Sequence, residues 1–179
     1  MGFGGIITTG LSIVILLVAG YMILAGMSYT INAATASAAT VSDKKAGQLN
    51  TALTVANVTR VSEDTLEFNL TNSGSASISD VSGMDVLLKY VDPDTMQYVD
   101  AIWLGYVPAA ESPVTGAGQW YSAGVASPMR NTTSTVLLLP GESMTVRAVL
   151  SASHPSATGV VQVAAPNGVS AMTQFDFRV

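Results

Sequence analysis

GGIITTGLSIVILLVAGYMILAGMSYTI, residues 4–31, contains no charged side chain and is mostly apolar. About 20 such residues cross a hydrocarbon core of ~30 Å at 1.5 Å per residue. Inside a bilayer each backbone amide needs an internal partner, so this run is expected to be helical. The rest of the chain has a different character. Residues 1–42 hold no Asp, Glu, Lys, Arg or His, and all 7 Lys+Arg, 12 Asp+Glu and the single His follow from Asp43 onward. The net charge of −5 therefore belongs to the second part, which is long enough to bury a core of its own.

Three readings fit the apolar run. A cleaved secretory signal would use the small residues at 34–38, but it lacks a basic n-region, and the run is about twice the usual 7–15 residues. A plain anchor is the second reading. The third is an anchor that packs on other helices. Alternating steps of four and three trace Gly5, Thr9, Ser12, Leu16, Ala19, Ile23, Gly26, Thr30, Ala33 and Ser37. Most of this seam is small, and small residues let helix backbones approach closely in lipid, where no hydrophobic force drives association. A homo-oligomer or a bundle with related subunits is the expected consequence.

Beyond residue 31 the sequence NAATASAATVSDKKAG is Ala-rich and free of proline up to Gly47. It predicts a continuous helix over 4–46, roughly 65 Å long, with Gly47 as its stop and part of it projecting as a stalk. The boundaries expected are 1–47 for the transmembrane and stalk helix and 48–179 for an extracytoplasmic β domain. Lys44 and Lys45, read literally by the positive-inside rule, would hold the second part in the cytoplasm. They lie well past the span and are offset by Asp43. Three N-x-Ser/Thr sequons, at Asn57, Asn69 and Asn131, all fall in the second part and are candidates for N-glycosylation; they favour the outside.

From Thr51 the apolar period becomes two. Leu66, Phe68 and Leu70 alternate with polar residues; so do Met84, Val86, Leu88 and Tyr90, then Met144, Val146, Ala148 and Leu150, then Phe175, Phe177 and Val179. These are half-buried strands. Stretches rich in Gly, Pro, Asn and Asp at 71–77, 92–95, 139–143, 153–157 and 165–169 separate them. The pattern predicts an all-β antiparallel sandwich. Its strands are expected near 51–61, 65–71, 76–82, 84–92, 96–106, 118–125, 134–139, 143–151, 158–165 and 171–179, some merging to leave seven to nine. The segment 107–131 reads as a long loop with one short strand around Trp120.

Chemistry is sparse. The chain has no cysteine, hence no thiolate metal site, disulfide or thiol nucleophile. His154 stands alone before Pro155 and reads as a solvated turn residue. Asp92 and Asp94 in DPDT suit a type I turn better than a calcium loop, even with Asp100 nearby. Glu111 and Glu142 have no evident carboxylate partner. No nucleophile elbow or phosphate loop is present. No catalytic residue, metal ligand or cofactor is expected, and an acidic surface of mixed sign excludes nucleic acid as a partner. Trp103, Tyr106, Trp120 and Tyr121 are the aromatics to place: they either fill the core or form a partner-binding face.

The opening MGF with its Gly-rich apolar helix, NLTNSGSASISDVSGMDVLLKY at 69–90 and LLLPGESMTV at 137–146 together resemble the type IV pilin-like proteins of the archaellum, the archaeal flagellum. They look most like the accessory stator proteins F and G. The resemblance implies an immunoglobulin-like sandwich outside the membrane that contacts the surface layer and like subunits. No basic residue precedes the apolar run, so the peptidase site of filament-forming archaellins is not visible. That favours an uncleaved accessory protein over a filament subunit. The other alternative is a membrane-tethered carbohydrate- or ligand-binding module using Trp103, Trp120 and the loop between them.

Overall fold

The computed structural model describes residues 3–91, 97–98, 101–108, 118–126, 137–150 and 158–177. These divide into two compact units, Met1–Lys45 and Ala46–Val179. A single helix, α1 (Phe3–Asn50), forms the first unit and enters the second with its last turn. Its 48 residues give roughly 72 Å of helix. From Ile7 onward α1 is long and apolar enough to cross a membrane, and none of its most apolar stretch is covered by protein. Ile15, Leu16, Leu17, Met22 and Leu24 are all exposed. A helix that is apolar all round needs lipid or other helices around it.

Gly47 does not stop the helix; α1 runs through it to Asn50. Glycine ends a helix when a left-handed residue is needed to satisfy the last carbonyls. Here distant segments of the second unit satisfy them. The Gly47 carbonyl accepts from Thr51 Oγ1 (2.7 Å) and Asn167 Nδ2 (3.4 Å), and the Asn50 carbonyl accepts from the Ser75 and Ala76 amides (2.8 Å each).

Among the described residues eight strands follow: β1 (Leu53–Arg60), β2 (Thr65–Asn72), β3 (Asp85–Tyr90), β4 (Ile102–Tyr106), β5 (Gln119–Ala126), β6 (Ser143–Val149), β7 (Thr158–Ala164) and β8 (Ser170–Asp176). They form one hydrogen-bonded order, β1-β2-β6-β5-β4-β3-β7-β8. Its two end strands, β1 and β8, lie side by side, so the sheet nearly closes on itself. The expected plan of an apolar helix followed by an all-β, mainly antiparallel domain is the plan observed. Two details differ. The β4–β5 pair is parallel, which the dozen residues of 107–118 permit, since a parallel pair needs a crossover of about that length. The strands expected at 76–82 and 134–139 reduce, among the described residues, to one bridge between Ile78 and Leu138. Reciprocal backbone bonds of 3.0 and 2.9 Å make it.

Register decides which side chains enter the core. Phe68 pairs with Val146 and Leu66 with Ala148, which also faces Trp120. In the other half Val86 pairs with both Leu104 and Val163. All eight are buried and belong to one cluster. The alternation read from Leu66, Phe68 and Leu70 is therefore an inward face, with Glu67, Asn69 and Thr71 opposite it.

The turns flanking this core are specified by side chains. Asn72 is fully buried. Its amide nitrogen donates to the Ala76 and Leu138 carbonyls (2.8 and 3.1 Å) while its oxygen accepts from the Gly74 amide (3.1 Å). Leu139-Pro140-Gly141-Glu142 is a type II turn: the Glu142 amide donates to the Leu139 carbonyl at 3.0 Å, and Gly141 has φ +78°. A residue other than glycine is strained there.

Candidate functional site

Three surfaces built by these elements are candidates for function: the helix seam and the two outward faces of the sheet. On α1, Gly5, Thr9, Ser12, Leu16, Ala19, Ile23 and Gly26 follow the seam spacing, and Leu16, Ala19, Ile23 and Gly26 are exposed. The hydroxyls on or beside the seam are satisfied within the helix. Thr9 donates to the Gly5 carbonyl, Ser12 to Thr8, Thr30 to Gly26 and Ser37 to Ala33, at 2.9–3.0 Å. Such back-bonding lets small polar residues lie in hydrocarbon without an unpaired donor.

The outward face of β2, β6 and β5 is polar. Arg147 Nε donates to Glu67 Oε2 at 2.7 Å. The bond to Glu67 first, and one to Tyr121 second, raises the guanidinium pKa further. Thr145 Oγ1 bonds Asn69 Oδ1 at 3.4 Å, and the Thr71 and Ser143 hydroxyls are 3.0 Å apart. These cross-strand pairs follow the backbone register. They place Tyr121, half-buried, on a hydrated surface beside an ion pair.

The outward face of β4, β3, β7 and β8 is different. The register aligns Trp103, Leu87, Gln162 and Met172 in one row across the four strands. Trp103 is 61 % exposed and Met172 74 %. The Trp103 indole Nε1 donates to Asp85 Oδ1 at 2.8 Å. Alongside this row the Lys89 ammonium lies 5.2 Å from the centre of the Tyr98 ring, itself 63 % exposed.

The four aromatics thus separate. Trp103 is outward, and Tyr121 is half-buried on the polar face. Trp120 is fully buried and belongs to the core, with the half-buried Tyr106 ring 4.7 Å from it. A partner face containing Trp120 is therefore corrected: β5 pairs with β6 so that residues 120 and 122 point inward. This also removes the ligand module that would join Trp103 to Trp120. Among the described residues, the buried Trp120 Nε1 and Ser122 Oγ atoms have no hydrogen-bond partner.

Among the sequons, Asn57 is exposed at an irregularity in the β1–β2 pairing and has φ 54°. Asn69 lies mid-strand on the polar face, half-buried; Asn131 lies outside the described residues. So do Asp92, Asp94, Asp100, Glu111 and His154. Among the described residues no three His, Cys, Asp or Glu side chains group as a metal site. Glu142 is buried, and its Oε2 accepts from the Leu139 amide at 2.8 Å, within the turn that Pro140 and Gly141 form. The buried Asn72 and Glu142 are structural polar residues that turn chemistry alone did not mark as interior.

The chain thus joins a long uncovered apolar helix to a nearly closed β domain. No protein-family model matches the chain, and no curated protein matches it. Among solved structures it is similar to the archaellum periplasmic stator protein FlaG from Sulfolobus acidocaldarius. The identity is 24 % with a TM-score of 0.48, over 70 % of this chain and 99 % of that one. It is also similar to the archaellum periplasmic stator protein complex of FlaF and FlaG from the same organism. There the identity is 21 % and the TM-score 0.49, over 69 % of this chain and 87 % of that one.

Proposed function

We propose that this chain is a non-enzymatic, stator-like component of an archaellum. Residues 1–47 anchor it in the membrane as a single span, and residues 48–179 form a domain outside the cytoplasm. Its partners are like or related pilin-type subunits along the Gly5–Gly26 seam and the surface layer at the domain. The observation that carries this is the uncovered apolar helix, whose last carbonyls are capped by Ser75, Ala76 and Asn167 of the β domain itself. The motifs around Asn72-Ser73-Gly74 and Pro140-Gly141-Glu142, in that order, support it, as does an exposed sequon at Asn57.

Deletion of the chain from an archaellated host tests the proposal. The expected result is that filaments still assemble while swimming is lost, and that the protein is recovered with membranes and requires detergent for release. Recovery of the chain as the bulk component of sheared filaments would overturn the stator role. It would favour a filament subunit instead, with the small-residue seam in a central helix bundle. Release into the aqueous fraction without detergent would overturn the anchor.

A further inference from the structure

We propose that the outward face of β4-β3-β7-β8 is a binding platform for a neutral oligosaccharide, stacked on Trp103, whose indole nitrogen is tethered to Asp85. One hydrogen bond tethers the ring: Nε1 donates to Asp85 Oδ1 at 2.8 Å on the neighbouring strand. Residues 103 and 105 share this face of β4, and Gly105 places no side chain beside the ring. An indole tethered by its nitrogen and still 61 % exposed offers an aromatic surface to solvent. That is a stacking surface whose ordering cost has already been met in the free protein.

The surroundings indicate the ligand. Gln162 sits in the same row as Trp103, and Gln174 in the next. Both are exposed amides that can donate and accept to hydroxyl groups. The face carries three charges: Asp85, bonded by Trp103, Lys89, beside the Tyr98 ring, and the exposed Asp176 at the end of β8, which accepts from Thr158 Oγ1; its excess of carboxylates disfavours an anionic ligand. The polar character of the opposite face, with its Glu67–Arg147 pair, makes the contrast plain: three of the four large hydrophobic side chains exposed beyond α1 among the described residues, Tyr98, Trp103 and Met172, are on or beside this one face.

The level part of this face is small. Four strands about 4.8 Å apart and five residues at about 3.4 Å make a face of roughly 320 Å². A stable protein interface buries about 800 Å² per partner. A few sugar rings fit such an area, with an apolar ring face on the indole and hydroxyls toward the glutamines. The inference stands independently of the archaellum assignment.

The test uses the full chain in a detergent without a sugar headgroup, since a glycosidic detergent would compete. Neutral di- to tetrasaccharides of gluco-, manno- and galacto-configuration are titrated by calorimetry and by tryptophan emission, with sialylated analogues alongside. The buried Trp120 supplies a constant background. The expected result is binding of at least one neutral oligosaccharide with a blue shift of the Trp103 emission. Trp103→Ala should weaken it by at least about tenfold, the loss of a stacking contact and its buried area. Asp85→Ala, which unties the ring, should weaken it several-fold. Because Trp103 is at the surface, unchanged thermal unfolding of both variants shows that the fold is not at issue. No binding of any neutral member up to ~10 mM, equal binding by Trp103→Ala, or preference for the sialylated analogues would overturn the proposal. So would crosslinking between copies that disappears in Trp103→Ala, which would assign the face to a second chain.

Discussion

Gly74→Ala should destabilise the β domain by roughly 2–3 kcal/mol. The turn at 73–76 lies directly on the chain leaving α1. A Cβ on Gly74 would stand 2.6 Å from the Asn50 carbonyl oxygen and 2.9 Å from the Thr51 carbonyl carbon, and closer still to the Ala52 amide nitrogen. All three are backbone atoms, so no rotamer change relieves the clash. The turn must move away, and four backbone bonds span this contact: Ser73 and Gly74 to the Ala52 carbonyl (2.9 and 3.1 Å), Ser75 and Ala76 to that of Asn50 (2.8 Å each). Each is worth about 1 kcal/mol net. Loss of three to four, less the roughly 0.4–1 kcal/mol that alanine returns by restricting the unfolded chain, gives the figure above. For a domain of this size it corresponds to a fall in Tm of about 6–15 °C. Thermal unfolding of full-length protein, followed by tryptophan emission from the buried Trp120, measures it. Gly124→Ala is the control, because a Cβ there meets nothing within 4 Å; it should change stability by less than about 0.5 kcal/mol. A Gly74→Ala loss no larger than the control's would refute the close-approach argument.

Trp120→Ala should cost about 3–5 kcal/mol by leaving a cavity against Ala148 and Tyr106, and chemical denaturation of the variant checks it; a loss below about 1 kcal/mol would place Trp120 outside the core. Ala19→Leu together with Gly26→Leu should abolish helix-mediated oligomers in a crosslinking experiment in membranes, and unchanged oligomers would count against the seam. The Asp80 carboxylate accepts from the Ser82 hydroxyl (2.6 Å) and the Gly83 amide (2.9 Å), which hold its pKa below the ordinary aspartate value. A depressed folded-state pKa contributes stability above the unfolded-state value and loses it as pH falls through the folded-state one. Hydrogen exchange at Gly83 should therefore accelerate, beyond the intrinsic rate, only as the medium becomes more acidic than the usual carboxylate range. Asp80→Asn should remove most of that pH dependence.

Much of the fold was legible in the order of residues. The apolar run at 4–31 carries no charged side chain, and a helix satisfies its backbone amides internally, so a helix is its expected form. Alternation at 66–70 and 144–150 likewise fixes strands with one wet face, since side chains in an extended chain alternate whatever their neighbours. Proline, glycine and asparagine clusters marked the turns because their backbone preferences are local.

What only the tertiary structure decided concerns positions where local preference is silent. Trp103 and Leu104 are adjacent apolar residues, and either could face inward; the pairing of Val86 with Leu104 turns Leu104 in and Trp103 out. Trp120 enters the core through its register with Ala148. Gly47 lost its role as a helix stop because residues far along the chain, Ser75, Ala76 and Asn167, capped the following turn. Local chemistry thus determined which elements form and which stretch of helix is apolar enough to cross a membrane. Long-range hydrogen bonding and register determined which aromatic is core and which is surface, because a one-residue change in pairing inverts the two faces of a strand.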